Sequence, residues 1–378
     1  MGNCRHPLSA LLCVGPPSIH PLGLGAAQTV RLPSYSAATF HRCTARHFGC
    51  TVAILFMQHR FPSADPALDQ FADLPHGIRM CFRSYGEDHH PAVVLIAGLG
   101  LQQVSWPLDF IEGLTAAGLR VITLDNRDIG RSTHLSHQAP PPRWRLLCGL
   151  LPTGHYLLRD MAQDVALLLE HLHITQAHVV GMSMGGMIAQ SLAALYPRQV
   201  RSLTSIFSTT GNKRVGQPAG STVLRMLWSK PAWTLPAAQN KYVQFMRHIG
   251  NPKVPGIENA WRNYIALAWQ RTTPEQAIPG YERQVTAIVA SGDRSAQLYK
   301  IDTPTLVIHG DKDRIVHPSG GAATARSIGG SQFHTLQGMR HQIDEVVTPY
   351  LLQVIVPHLQ AAQATACAEK TTPQAAAA

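Results

Sequence analysis

Ala177-His178-Val179-Val180-Gly181-Met182-Ser183-Met184-Gly185 reads as a buried strand, Ala177–Met182, turning at a serine into a helix, Met184–Leu195, that stops near Pro197. Attack on a carbonyl requires a hydroxyl held clear of the sheet, at a turn so tight that neighbouring side chains would collide. Glycine at 181 and 185 removes those collisions, and the turn presents the Ser183 oxygen at a helix N-terminus. The same geometry aims the Met184 N–H at the point where negative charge would develop. A Gly-x-Ser-x-Gly pentad can also be a glycine-rich packing turn. The strand before it and the helix after it favour the nucleophile.

Outward from this turn the chain keeps a β–helix rhythm. Ile78–Tyr85, Ala92–Ala97, Arg120–Leu124, Val200–Phe207, Pro304–His309 and Gln332–Leu336 read as strands. Residues 107–118, Tyr156–Leu172, Ala322–Ile328 and Asp344–Leu359 read as helices, the second with Leu158, Met161, Val165, Leu168 and Leu172 on one side. Continuous apolar strands separated by helices predict an α/β fold, a mostly parallel central sheet flanked by helices. Ligands of such sheets bind at the carboxyl ends of the strands. The interval 211–298 reads as helices and several tryptophans, a helical cap inserted above the strand ends. The organisation expected is an extension at 1–56, core at 57–210 and 299–360, cap at 211–298, and a disordered Ala/Gln/Thr tail at 361–378. A Pro-rich excursion begins at Ala139–Arg143 and passes Trp144 and Cys148.

A serine hydroxyl is a poor nucleophile until a base takes its proton, so the turn demands an acid and a histidine further on. Pro304–Gly310 leads into Asp311-Lys312-Asp313, and Phe333–Leu336 leads into Gly338-Met339-Arg340-His341. Both loops follow late strands, so His341 and one of the aspartates can meet Ser183 at one sheet edge. Asp313 is preferred, because Asp311 directly follows Gly310 and suits the turn itself. A second oxyanion amide would come from the loop after Val93–Ala97, namely Gly98-Leu99-Gly100, with the Leu99 N–H as donor beside Met184. A simple glycine turn is the competing reading there.

From about residue 77 to 359 the chain resembles the α/β-hydrolase superfamily, most of all esterase-type members related to aclacinomycin methylesterase. The resemblance is carried by Ala97-Gly98-Leu99-Gly100 with Trp106 beyond, Asp125-Asn126-Arg127-Asp128-Ile129-Gly130-Arg131-Ser132, the Gly181–Gly186 turn, His309-Gly310-Asp311-Lys312-Asp313, and Gly338-Met339-Arg340-His341. It implies Ser183, Asp313 and His341 as triad, the amides of Leu99 and Met184 as oxyanion hole, and no cofactor or metal. One departure stands out: many members carry His before the glycine of the oxyanion loop, where this chain has Ala97. Arg127 and Asp128 are expected to brace the site and not to touch substrate. The reaction expected is hydrolysis of a small-molecule carboxylic ester through an acyl-enzyme. Lactone, C–C or amide cleavage and cofactor-free perhydrolysis would use the same triad, and a non-catalytic ligand receptor is the reading from outside enzymology. An aspartate-nucleophile chemistry is disfavoured by Ser183. Trp228, Trp233, Trp261 and Trp269 could line an apolar acyl or alcohol pocket, or pack the cap core.

Composition bounds the rest. Half of the net charge of +10 comes from Arg5, Arg31, Arg42, Arg46 and Arg60, in a segment 1–64 with no Lys, Asp or Glu. The remainder is ordinary for a large body, and no Lys/Arg run interleaves with aromatics, so nucleic-acid binding is not expected. Seven cysteines, without metal-ligand spacing, fit a reducing, cytoplasmic setting. The acid-free extension also fits a targeting presequence or a start at Met57. No run of eighteen apolar residues appears, so no stable membrane insertion is expected. The oligomeric state is left open.

Overall fold

The computed structural model describes residues 28–31, 60–142, 145 and 154–371. Of the expected extension only Gln28–Arg31 is described, and Met57, Arg143, Trp144 and Cys148 lie outside the described residues. Nine strands form one sheet: β1 Gln28–Arg31, β2 Gln70–Asp73, β3 Arg79–Tyr85, β4 Ala92–Ile96, β5 Arg120–Leu124, β6 Ala177–Met182, β7 Val200–Ile206, β8 Thr305–Gly310 and β9 Gln332–Gln337, in the order β1-β9-β8-β7-β6-β4-β5-β3-β2. All neighbours are parallel except β2–β3 and β3–β5. The extension was expected to lie outside the fold, yet β1 pairs with the open edge of β9, register Thr29 to Thr335. An edge strand offers unpaired backbone groups, and the β-branched Thr29-Val30 pair suits that template.

Alternation along the central strands sorts the core into two faces. Val94 and Ile96 face one way, under helices α2 (Leu158–His171) and α3 (Met184–Leu195), with Met161, Val165, Leu168, Ile188 and Leu192. Val93 and Leu95 face the other way, over α1 (Leu108–Ala116) and the closing helix, with Phe110, Ile111, Leu114, Leu351, Ile355 and Leu359. Burial on both faces explains why these strands are apolar throughout. The chain leaves β4 for its outer neighbour β5, then crosses back over β4 to β6. The reversal opens a crevice between the carboxyl ends of β4 and β6, where the Leu99 and Ser183 loops emerge.

Between β7 and β8 run α4 (Gly220–Leu227), α5 (Leu235–Ile249), α6 (Ile257–Trp269), α7 (Pro274–Ser291) and the short α8 (Ser295–Leu298). Val243, Met246, Ile249, Val254, Ile257, Ala260 and Trp261 make a small core of their own. After α9 (Ser319–Ser327) and β9, helix α10 covers Val347–Thr371. It therefore runs beyond residue 361, where the disordered tail was expected to begin. Alanine and glutamine are good helix formers, and the composition that suggested disorder also prolongs a helix already seeded by its buried face.

At the far end of the sheet two buried imidazoles oppose acid. Burial pushes His178 on β6 down to about 4, helped by Arg201, and burial likewise pushes His358 on α10 down to about 4. Both would titrate near 6.5 in the unfolded chain, so between those values the unfolded state binds more protons. Stability is then full above pH ~6.5 and declines as pH falls toward 4, by up to roughly 3 kcal/mol per residue. Urea midpoints measured at stepped pH should fall through this window, and His178→Gln should flatten the slope. A midpoint independent of pH there would contradict the burial argument.

Candidate active site

Ser183 adopts φ 56° and ψ −121° at the N-cap of α3. A non-glycine residue rarely occupies this region, and holding it there costs about 1–3 kcal/mol. The flanking backbone shows why glycines are needed: a Cβ on Gly185 would run into the Ile96 carbonyl, and one on Gly181 would meet Gly186 N at 2.7 Å. The strained turn is tied down by Ser183 N–H donating to Ile206 O (2.9 Å) and by Ser208 Oγ donating to Ser183 O (2.8 Å). Ser183 is half-buried.

The sequence-derived partners converge on it. His341 Nε2 lies 3.0 Å from Ser183 Oγ, and His341 Nδ1 lies 2.7 Å from Asp313 Oδ2. Asp313 Oδ1 accepts the Ile315 and Val316 N–H groups at 2.8 and 3.0 Å. Burial alone would raise the Asp313 pKa. The His341 and His309 imidazoles and their hydrogen bonds outweigh it, holding the carboxyl well below the usual carboxylate range. Phe207 leans on the His341 ring, centroids 4.5 Å apart. The competing carboxylate, Asp311, is occupied elsewhere: its Oδ1 accepts the Gly338 N–H at 2.6 Å, tying the β8 loop to the β9 loop.

Opposite the imidazole, the loop after β4 passes over the serine. A Cβ on Gly98 would sit 3.2 Å from Ser183 Cβ. The Met184 N–H belongs to the first turn of α3, where no intrahelical acceptor exists. Among the described residues neither it nor the Leu99 N–H is engaged by another acceptor. Uncommitted backbone donors beside a nucleophile are the groups an oxyanion needs.

The support that Ala97 does not supply comes from other residues. Asn126 Nδ2 donates to Ala97 O (3.2 Å), and Gln284 on α7 accepts the Gly100 N–H (3.0 Å) while donating to Arg127 O (2.8 Å). Tyr264 of α6 accepts the Gln102 N–H, and the Gln102 side chain donates to Ala268 O and accepts from Arg271. Arg271 then reaches Asp125 (2.6 Å) and Asp69 (2.8 Å), with Arg83 and Arg131 also on Asp69. Burial would raise the Asp69 pKa, but these guanidiniums outweigh it and keep the carboxyl below its ordinary range. Neither Gln284 nor Arg271 carries a motif, and a cap glutamine or arginine looks like any surface residue in sequence.

Arg127 and Asp128 do brace the site. Arg127 is paired with Asp164 and Asp128 with Arg283, all buried. Of the four cap tryptophans, Trp228 and Trp233 are 79% and 58% exposed and fit neither a pocket nor a core, Trp261 packs in the cap core as the second alternative had it, and Trp269 is half-buried. Their apolar character did not say which side of a helix they would take. A cavity lined by the Arg214–Ala219 backbone, His317 and Ser319 touches the triad only through Asp313, away from the serine. Among the described residues no cluster of His, Cys, Asp or Glu could hold a metal ion, and no helix is long and apolar enough to cross a membrane.

The chain is similar to several known proteins. Rhodomycin D methylesterase DauP from Streptomyces sp. (strain C5) is 27% identical over 297 residues, spanning 73% of this chain and 93% of that protein. A putative carbamate hydrolase RutD of Yersinia enterocolitica is 38% identical over 133 residues, 34% of this chain and 41% of its own. Among solved structures, a meta-cleavage product hydrolase from Pseudomonas fluorescens IP01 superposes with a TM-score of 0.61 at 17% identity, covering 79% of this chain and 100% of that one. The enol-lactonase from Burkholderia xenovorans LB400 gives 0.55 at 21%, covering 77% and 100%. At those identities the structures speak for the fold alone. Residues 91–343 match the family described as alpha/beta hydrolase fold, and with a nine-stranded sheet whose β4–β6 crevice holds the serine turn, the chain belongs to the α/β-hydrolase family.

Proposed function

We propose that the protein is a serine hydrolase that cleaves a small-molecule carboxylic ester through an acyl-enzyme. The observation that carries this is the unbroken hydrogen-bonded line from the Asp313 carboxylate through the His341 imidazole to the Ser183 hydroxyl. His341 Nε2 takes the hydroxyl proton as Ser183 Oγ attacks the ester carbonyl, and the tetrahedral oxygen is held by the Leu99 and Met184 amides. The imidazolium, stabilised by Asp313, returns the proton to the departing alkoxide. Water deprotonated by the same nitrogen then attacks the acyl carbon and releases the acid. An ester is preferred over a lactone, ketone or amide because the relative matched over 93% of its length is named for a methylesterase activity.

A fluorophosphonate probe tests the nucleophile directly. The full-length protein should be labelled stoichiometrically, with the adduct mapped to the peptide containing Ser183. An unreactive Ser183 in folded protein would point instead to a ligand receptor. A panel of p-nitrophenyl and methyl esters then ranks acyl and alcohol preference. On the same panel Gln284→Ala should lower kcat about tenfold to a hundredfold with little change in KM, because it frees the Gly100 amide and lets the oxyanion loop drift. A change confined to KM would detach Gln284 from the oxyanion loop.

A further inference from the structure

The cap presents a surface that ester hydrolysis does not use. Residues 211–257 contain no Asp or Glu, yet hold Lys213, Arg214, Arg225, Lys230, Lys241, Arg247 and Lys253. All are exposed, and Arg247 shares its charge with Glu258. Within this basic stretch sit Leu224, Leu227, Trp228 and Trp233, which are 56%, 41%, 79% and 58% exposed. Leu224, Leu227 and Trp228 fall at i, i+3 and i+4 and so share one face at the end of α4. The opposite face is anchored to the body by Thr222, buried, whose Oγ1 donates to Arg314 O at 3.0 Å. The helix thus turns its large apolar side chains outward although an inward anchor exists.

We infer that this α4 face, with the flanking basic residues, docks the cap onto an anionic lipid surface. Indole and leucine side chains partition into the headgroup–acyl boundary, while Lys and Arg meet the phosphates around them. Charge decides the occupant. A second copy meeting the same face by two-fold symmetry would bring one acid-free basic stretch against another, and like charges across an interface oppose association. A negatively charged surface neutralises the rim and covers the apolar centre together. This binding is peripheral, since no helix among the described residues can span a bilayer. It does not depend on which bond the enzyme cleaves.

The test is sedimentation of full-length protein with vesicles of phosphatidylcholine alone and of phosphatidylcholine with phosphatidylglycerol, each at low and high salt. Binding should require phosphatidylglycerol, weaken with salt, and shift the tryptophan emission to the blue. Two double variants separate the contributions, Leu224→Ser with Trp228→Ser and Arg225→Glu with Lys230→Glu. Each should lower the partition coefficient roughly tenfold or more, with circular dichroism and the melting temperature unchanged. Brominated lipid quenching of the parent protein gives a readout that needs no variant. Failure to sediment with the mixed vesicles, equal binding to neutral ones, or binding that survives both variants would overturn the assignment. So would a concentration-dependent dimer abolished by the same substitutions, which gives the face to a second copy.

Discussion

Replacing Ser183 with alanine is expected to lower kcat for ester hydrolysis by on the order of 10⁵-fold or more, with KM and the melting temperature near those of the parent. The size follows from what is removed. The Ser183 Oγ lies 3.0 Å from His341 Nε2 and is the atom proposed to attack the carbonyl. Without it the imidazole has no proton to take and no covalent step can begin. The oxyanion amides and the binding surface remain, so a residual rate above the uncatalysed one should persist. The strained backbone at φ 56° is unchanged by losing one oxygen, which is why folding should tolerate the substitution. Turnover retained in Ser183→Ala would refute the nucleophile.

The second large effect is expected from Asp313→Asn, a loss of about 10³- to 10⁴-fold in kcat at neutral pH. Asparagine keeps an oxygen for the Ile315 and Val316 N–H groups, so the loop should stay in place. Its other arm becomes an NH2 donor where Asp313 Oδ2 now accepts from His341 Nδ1 at 2.7 Å. To meet a donor, Nδ1 must become the acceptor, which puts the hydrogen on Nε2 and removes the base that Ser183 needs. A variant with native stability and native KM but collapsed kcat would carry that signature. A variant no slower than Asp311→Asn would transfer the acid role away from Asp313. Asp311→Asn should be mild, since Asp311 ties two loops through the Gly338 amide and has no contact with the imidazole.

The central strands, and the meeting of Ser183, His341 and Asp313, were legible because each rested on a local pattern. Val93–Ala97 and Ala177–Met182 are continuous apolar runs, and Ser183 and His341 sit in short glycine-flanked motifs at strand ends. Asp313 was preferred over Asp311 because Asp311 directly follows Gly310 and suits the turn, and in the structure His341 bonds Asp313 while Asp311 accepts the Gly338 N–H. Strands β1 and β2 were not legible: each has four residues, too few to carry a period, and in β2 only Ala72 is buried. Helix α7 was obscured by Pro279, which lies inside it. The bonds that steady the loop after β4 were invisible for a different reason, since Gln284 and Gly100 are separated by 184 positions and neither type announces a partner. The orientation of Trp228 was likewise undetermined, because hydrophobicity gives the period of a helix but not the presence of a neighbour to cover it.

Arg271 is fully enclosed, bonded to Asp69 and Asp125 at the root of the sheet. To swing α6 and α7 away as a rigid lid, the molecule would have to pull the Arg271 cation out of both buried pairs, at about 3–5 kcal/mol, although Asp69 would keep Arg83 and Arg131. Such an opened form would amount to roughly one molecule in a thousand at rest. The inner half of the roof is therefore a bolted plate, fixed to the body through Arg271, Arg283 and Gln284.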